Sequence, residues 1–91
     1  MEFEWDAVKS ERNRMERGLP FELAVELFEG PISEQADNRR DYGETRVQAI
    51  GRVGGSILVC VYTDRGEVRR IISLRDANRR ERNAYRASFP R

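Results

Sequence analysis

The sequence predicts an α+β fold: an antiparallel meander sheet packed by two N-terminal helices and a C-terminal helix. Three observations carry this expectation. From Thr45 to Leu74 the chain holds three stretches rich in β-branched residues, joined by Gly54-Gly55 and by Arg65-Gly66, short glycine turns of the kind that build hairpins. Upstream, Phe21, Ala24, Val25 and Phe28 fall at i, i+3, i+4 and i+7, the apolar stripe of a helix that faces a core. Downstream, Asn78 and Glu81 have the spacing of a capping box.

Taken in order, Glu2 to Trp5 reads as a short strand, with Phe3 and Trp5 on one face and Glu2 and Glu4 on the other. Asp6 is a good N-cap for a helix over about Ala7 to Arg17, which Gly18 closes. That helix has only Val8 and Met15 a heptad apart, so it is expected on the surface. Pro20 opens the second helix, over about Pro20 to Glu29, and Gly30-Pro31 ends it. Ile32 to Tyr42 begins as a possible short strand and becomes a polar loop around Asp37-Asn38-Arg39-Arg40-Asp41. The meander follows as Thr45 to Val53, Ser56 to Asp64 and Glu67 to Leu74, and Asn78 then caps a last helix over about Arg79 to Ala87. Helices gathered on such a sheet make the class α+β.

Ninety-one residues with no Ser/Gly linker, low-complexity stretch or internal repeat indicate one domain, residues 1–91. The longest apolar run, Ile57 to Tyr62, is far short of the roughly 20 residues that span a bilayer. The opening Met-Glu-Phe-Glu-Trp-Asp is acidic where a secretory signal is basic and then hydrophobic. Cys60 is the single cysteine, so no internal disulfide is available, which fits a reducing compartment. These features lead to the expectation of a cytoplasmic protein without a membrane partner.

The net charge of +1 conceals a strong asymmetry. Residues 1–44 hold 12 acidic and 6 basic side chains, whereas residues 45–91 hold 4 acidic and 11 basic ones. All basic residues but Lys9 are arginines. Arginine presents a planar donor fork suited to phosphate and carboxylate, and it stacks on bases. The second half therefore suits an anionic partner; the competing reading is that its arginines pair with the acidic first half inside one fold.

The residues resemble a known family nearly end to end. Trp5, Asp6 and Lys9, followed by Asn13, Gly18, Phe21 and Ala24, are similar to the opening of the BrnT toxins of bacterial type II toxin–antitoxin systems. Ile50-Gly51 and the apolar run through Val59 resemble the family's central strands. More specific are Tyr62-Thr63-Asp64-Arg65-Gly66, Arg70 through Ala77, then Arg79-Arg80-Glu81-Arg82 and Tyr85. The resemblance implies a RelE-like fold and a growth-arresting ribonuclease that acts on RNA. It further implies neutralisation by a small BrnA-like antitoxin, with promoter DNA bound only through the antitoxin complex. The chain departs from the family's pattern at one place: many relatives carry Lys-His before the glycine corresponding to Gly18, where this chain has Glu16-Arg17. A cation at that point suits a helix C-terminus, so Arg17 is expected to serve the helix.

Histidine is absent, which excludes a histidine-pair ribonuclease, a Ser-His-Asp triad and a His-bound zinc. No Walker-type phosphate loop is present. Carboxylates of the second half are sparse and lie beside arginines, so neither a metal nor another cofactor is expected. Metal-free RNA cleavage needs a base for the 2′-hydroxyl, stabilisation of the phosphorane and a proton for the leaving oxygen, and electrostatic stabilisation is usually the largest of these effects. Arg65, Arg70 and Arg75 are the expected phosphate contacts. Glu81 is the candidate base, with Lys9, Tyr62 or Tyr85 as proton donor, although Glu81 also fits a purely structural role in the capping box. Strand alternation predicts Arg69, Ser73 and Arg75 on one face, and Arg70 on the other with Val68, Ile72 and Leu74. Arg69, Arg79, Arg80 and Arg82 complete a basic RNA-binding surface, and an antitoxin segment that masked it would inhibit. Trp5, Phe21, Phe28 and Cys60 are expected to pack in the core. The alternative function is a non-catalytic nucleic-acid- or partner-binding module.

Overall fold

The computed structural model describes residues 1–90. Its elements are β1 (Glu2–Trp5), α1 (Ala7–Arg17), α2 (Leu23–Leu27), β2 (Ile32–Ala36), β3 (Val47–Val53), β4 (Ser56–Arg65), β5 (Val68–Asp76) and α3 (Arg79–Ser88). Gly54 and Gly66 open the two hairpin loops with φ of 59° and 63°, a positive φ at the first loop residue that glycine adopts without strain. These loops fix the registers Val53↔Ser56 and Arg65↔Val68 and so build the expected meander.

The five strands lie in the order β1-β5-β4-β3-β2. β2 to β5 are antiparallel, but β1 joins β5 in parallel, with Glu2↔Val68 through Trp5↔Ile71, so the sheet is mixed. Alternation of Phe3 and Trp5 identified β1 as a strand but carries no information about its direction.

One sheet face packs against α2 around Phe21, Ala24, Leu27, Ala49, Leu58, Cys60, Tyr62, Ile71 and Leu74, with Phe3, Trp5 and Phe28 against it. This is the α2 face. The opposite, α3 face holds a smaller cluster of Ile57, Val59, Ala77 and Tyr85, flanked by Ile50 and Phe89. α2 is shorter than its apolar stripe suggested, because Leu23, Ala24 and Val25 bond three residues back and tighten the entry. The tighter winding buries Phe21, Ala24 and Leu27, three residues apart, and leaves Val25 and Phe28 half-buried. Gly51 allows α2 to approach β3: a Cβ there would lie 2.9 Å from Leu27 Cγ and 3.1 Å from the Leu27 carbonyl oxygen.

α1 begins as expected, with the Asp6 carboxylate accepting from the Val8 and Lys9 amides, and ends on Gly18 in the left-handed region. Val8 and Met15 are exposed, and the helix docks through polar groups instead. Ser10 Oγ accepts from the Phe21 amide at 2.9 Å. Asn13 Nδ2 donates to the carbonyls of Leu19 (2.6 Å) and Leu74 (2.9 Å), and Arg17 Nη1 donates to the same Leu74 oxygen at 3.2 Å. β1 pairs with β5 only as far as Ile71, so these side chains satisfy a strand edge that no backbone covers.

Candidate functional site

β5 carries Arg69, Arg70 and Arg75, and one irregularity decides where each of them points. Between Val61↔Ser73 and Tyr62↔Ile71 the register skips Ile72, a β-bulge that resets the alternation. The expected facing is corrected accordingly. Arg70, Ser73 and Arg75 pair with Thr63, Val61 and Val59 and share the α3 face, whereas Arg69 pairs with Asp64 and joins Ile71 and Leu74 on the α2 face. Strict period-two alternation put Arg70 and Arg75 on opposite faces; the extra residue between them brings both to one.

Arg75 is bound by Glu81 through two hydrogen bonds of 2.8 Å, Nη1 to Oε1 and Nη2 to Oε2. Glu81 also closes the capping box: its Oε1 accepts from the Asn78 amide at 2.9 Å while its own amide donates to Asn78 Oδ1 at 2.8 Å. The Arg75 guanidinium foremost, helped by the Asn78 amide and opposed by burial, holds the Glu81 carboxyl below its ordinary value. Such a carboxylate is a weakened base.

At the other end of the face Glu4 accepts from Arg70 Nη1 at 3.2 Å and lies 4.0 Å from Arg65 Nη1, and Arg65 also meets Glu44 at 3.3 Å. The reading that arginines of the second half pair with the acidic first half therefore holds for Arg65 and Arg70. Arg75 lies five residues along the strand from Arg70, roughly 16 Å of Cα travel at about 3.3 Å per residue. The catalytic candidates thus form two stations on the α3 face, Arg65–Arg70 and Arg75–Glu81, rather than one compact centre.

Lys9 lies at the margin of the sheet, in a groove of about 180 Å³ between α1 and β5 that Arg12, Asn13, Arg17, Ile72 and Ser73 also line. Its side chain makes no hydrogen bond or ion pair among the described residues. Arg79 and Arg80 are exposed at the start of α3 without an ion pair among the described residues, and Arg82 donates to the Ala77 carbonyl. Arg69 is engaged on the α2 face. It bonds Asp64 at 2.8 and 3.0 Å and its guanidinium carbon lies 4.0 Å from the Tyr62 ring centroid and 4.7 Å from that of Phe28.

Both tyrosines considered as proton donors are committed elsewhere. Tyr62 donates to Glu34, and burial, with that bond, raises its phenol well above the ordinary range. Tyr85, 1% exposed, donates to the Pro31 carbonyl at 2.6 Å. Arg17 sits in the last turn of α1, where a cation suits the helix end, and additionally ties α1 to β5 through Leu74. Among the described residues no three His, Cys, Asp or Glu side chains gather as a metal-ligand set.

The loop between β2 and β3, a polar stretch in the sequence, brings residues to the α3 face. The Asp37 amide bonds the Arg46 carbonyl at 2.9 Å, which extends the β2–β3 ladder by one pair. Arg46 stacks on Tyr42, 3.8 Å from its ring centroid, and meets Glu44 at 3.2 Å. The signal available was the Asp37-x-Arg39 and Glu44-x-Arg46 spacing, two residues apart in both cases, which lets a side chain fold back on its neighbour.

A search of curated protein sequences finds no significant match. One family model does match, described as "Ribonuclease toxin, BrnT, of type II toxin-antitoxin system", over residues 5–81. That span runs from Trp5 at the end of β1 to Glu81 in the first turn of α3, so it takes in both arginine stations. The chain belongs to the BrnT family of ribonuclease toxins of type II toxin–antitoxin systems.

Proposed function

We propose that this chain is a metal-independent endoribonuclease that arrests growth in the cytoplasm and is neutralised by a BrnA-like antitoxin, with promoter DNA engaged only through the toxin–antitoxin complex. The observation that carries the reading is the row of arginines on the α3 face, Arg65 and Arg70 at one end and Arg75 with Arg79 and Arg80 at the other. Such a row follows an RNA backbone, and binding through it weakens steeply with salt. Metal independence is supported by the absence of histidine and by carboxylates that are already engaged by arginines.

In this reading Arg75 stabilises charge developing on the scissile phosphate. Glu81 fixes the orientation of that guanidinium, and its two oxygens are already shared between Arg75 and the Asn78 amide. Proton abstraction by Glu81 then requires an RNA hydroxyl to displace one of these donors. Lys9 is the remaining proton donor, since Tyr62 and Tyr85 have partners of their own. Arg70 and Arg65 hold a neighbouring phosphate, and Arg79, Arg80 and Arg82 extend the basic track along α3. Arg69 supports the face from beneath through Asp64.

The test is induced expression in bacteria of wild type beside Arg75→Ala, with growth followed and total RNA mapped for new 5′ ends. Arrest with new ends that vanish in the variant supports the assignment. Arg75→Ala that folds and remains fully toxic removes Arg75 from the site. One observation favours a second reading, a module that binds RNA or protein without cutting: Glu81, Tyr62 and Tyr85 all hold structural bonds. Soluble, folded wild type that causes no arrest and cuts no RNA would establish it.

A further inference from the structure

We propose that Arg39 is an RNA-phosphate ligand, fixed by the buried carboxylate of Asp37 and sharing one phosphate with Arg75 across the α3 face. The inference rests on the ribonuclease reading above and adds a residue that reading does not use.

The Asp37–Arg39 pair is unevenly covered. The Asp37 side chain is 2% exposed, whereas the side chain of Arg39, its partner, is 68% exposed. Burying a carboxylate is costly unless it is paired and hydrogen-bonded, and Arg39 supplies both through Nε at 2.7 Å and Nη2 at 2.8 Å. A pair that served the core alone would be covered on both sides. This one hides the acid and shows the base. The bidentate bond uses one edge of the guanidinium and leaves the Nη1 donors outside it, oriented by a rigid fork with Tyr42 beside the group.

The position follows from the sheet. Val47 packs on the α2 face and pairs with Ala36, so the next pair, Asp37 with Arg46, projects to the opposite face, which Arg70 and Arg75 share. From there Arg39 is near enough for its charge to be felt at Arg75, where it works against the Glu81 carboxylate. Each cation has already committed its own carboxylate, Asp37 for Arg39 and Glu81 for Arg75. Two cations on one face, each oriented by its own carboxylate and close enough for one charge to act on the other, make a seat for a phosphate oxygen.

The experiment measures binding of a fluorescent 2′-O-methyl oligoribonucleotide, which cannot be cleaved through its 2′-oxygen, by anisotropy over a salt series. Arg39→Ala is expected to weaken binding about tenfold, the loss typical of one charged hydrogen-bonding partner. The slope of log K against log salt should stay nearly unchanged, because Arg75 still neutralises the shared phosphate. Adding Arg75→Ala should then lower it by about 0.7, one phosphate on a single strand. Asp37→Asn gives the sharpest discrimination. It raises the net charge by one, so general electrostatics predicts tighter binding; loss of the orienting carboxylate predicts binding weaker by about threefold. Arg39→Lys, which keeps the charge and loses the fork, should recover only part of the affinity. Thermal melts monitor folding of each variant, with Arg14→Ala on α1 as the control. Arg39→Ala that behaves like Arg14→Ala, tighter binding by Asp37→Asn, or an additive loss of slope in the double variant overturns the proposal while the ribonuclease reading stands. Wild type that shows no salt-dependent binding overturns both.

Discussion

Arg75 and Glu81 hold one another through two bonds of 2.8 Å, and the same Glu81 oxygen that meets Arg75 Nη1 also caps the Asn78 amide. One carboxylate thus joins the end of β5 to the start of α3. Glu81→Ala removes both functions and is expected to cost about 1–2 kcal/mol in urea unfolding. Glu81→Gln keeps the cap and should cost less. In a double-mutant cycle with Arg75→Ala, a coupling of about 1 kcal/mol is expected between the two positions, and strictly additive values would show that the pair contributes nothing to folding.

Acid should loosen the molecule through the same groups. Arg75 lowers the carboxyl of Glu81, Arg39 that of Asp37 and Arg69 that of Asp64. A carboxyl held below its unfolded value adds stability that is fully present above that value and disappears as pH falls through the folded one. Ordinary values are 4.5 for glutamate and 3.8 for aspartate, so the melting temperature should hold at neutral pH and decline from about pH 4.5 downward. Glu81→Gln should flatten part of that decline. A wild-type melting temperature unchanged down to pH 3 would contradict these pairings.

Gly51→Ala tests the approach of α2 to β3. The added methyl would meet Leu27 Cγ at 2.9 Å and the Leu27 carbonyl at 3.1 Å, and the backbone oxygen has little room to yield. Overpacking of this kind costs about 1–3 kcal/mol. The melting temperature should fall, whereas Gly55→Ala, with open space around its position, should leave it nearly unchanged.

Asn13→Ala deletes two bonds to backbone carbonyls, those of Leu19 and Leu74, and should cost about 1–3 kcal/mol. Arg17→Ala removes only the weaker of the two donors to Leu74 and should cost less than half as much. Chemical denaturation of both variants ranks them, and the reverse ranking would mean that Arg17 is the principal tie between α1 and β5.

Cys60 should be chemically silent. Burial pushes its thiol up to about 12, and the side chain is fully covered between β3 and β5. A thiol reagent at pH 8 should label the native protein only at the rate of unfolding and label it at once in denaturant.

The meander and its flanking helices were legible because each was written in local chemistry: glycines where φ is positive, Asp6 and Asn78 where amides need acceptors. The parallel pairing of β1 was not, since partner and direction depend on residues 66 positions away. Leu27 escaped the apolar stripe because a tighter helical turn changed the spacing from four to three. Within the site, residue type and position point to Arg75 and Glu81 singly, but nothing local in the sequence joins them as a bonded pair. Asp37 and Arg39 lay in the acidic half of the chain, where an average over charge hides a single buried carboxylate.

The bulge at Ile72 also has a consequence for how the chain tolerates change. It acts as a parity switch: every β5 residue beyond it has the opposite inside-or-outside assignment from the one an uninterrupted strand would dictate. A strand that ran straight with Ile72 kept in its ladder would exchange Leu74 for Arg75, turning an aliphatic side chain outward and a guanidinium inward, whereas deletion of Ile72 itself leaves every later residue on its present face. A one-residue shift of this kind forfeits the buried apolar layer and the row of arginines together, so insertions and deletions elsewhere in β5 are far less forgiving than the replacement of any single arginine on it.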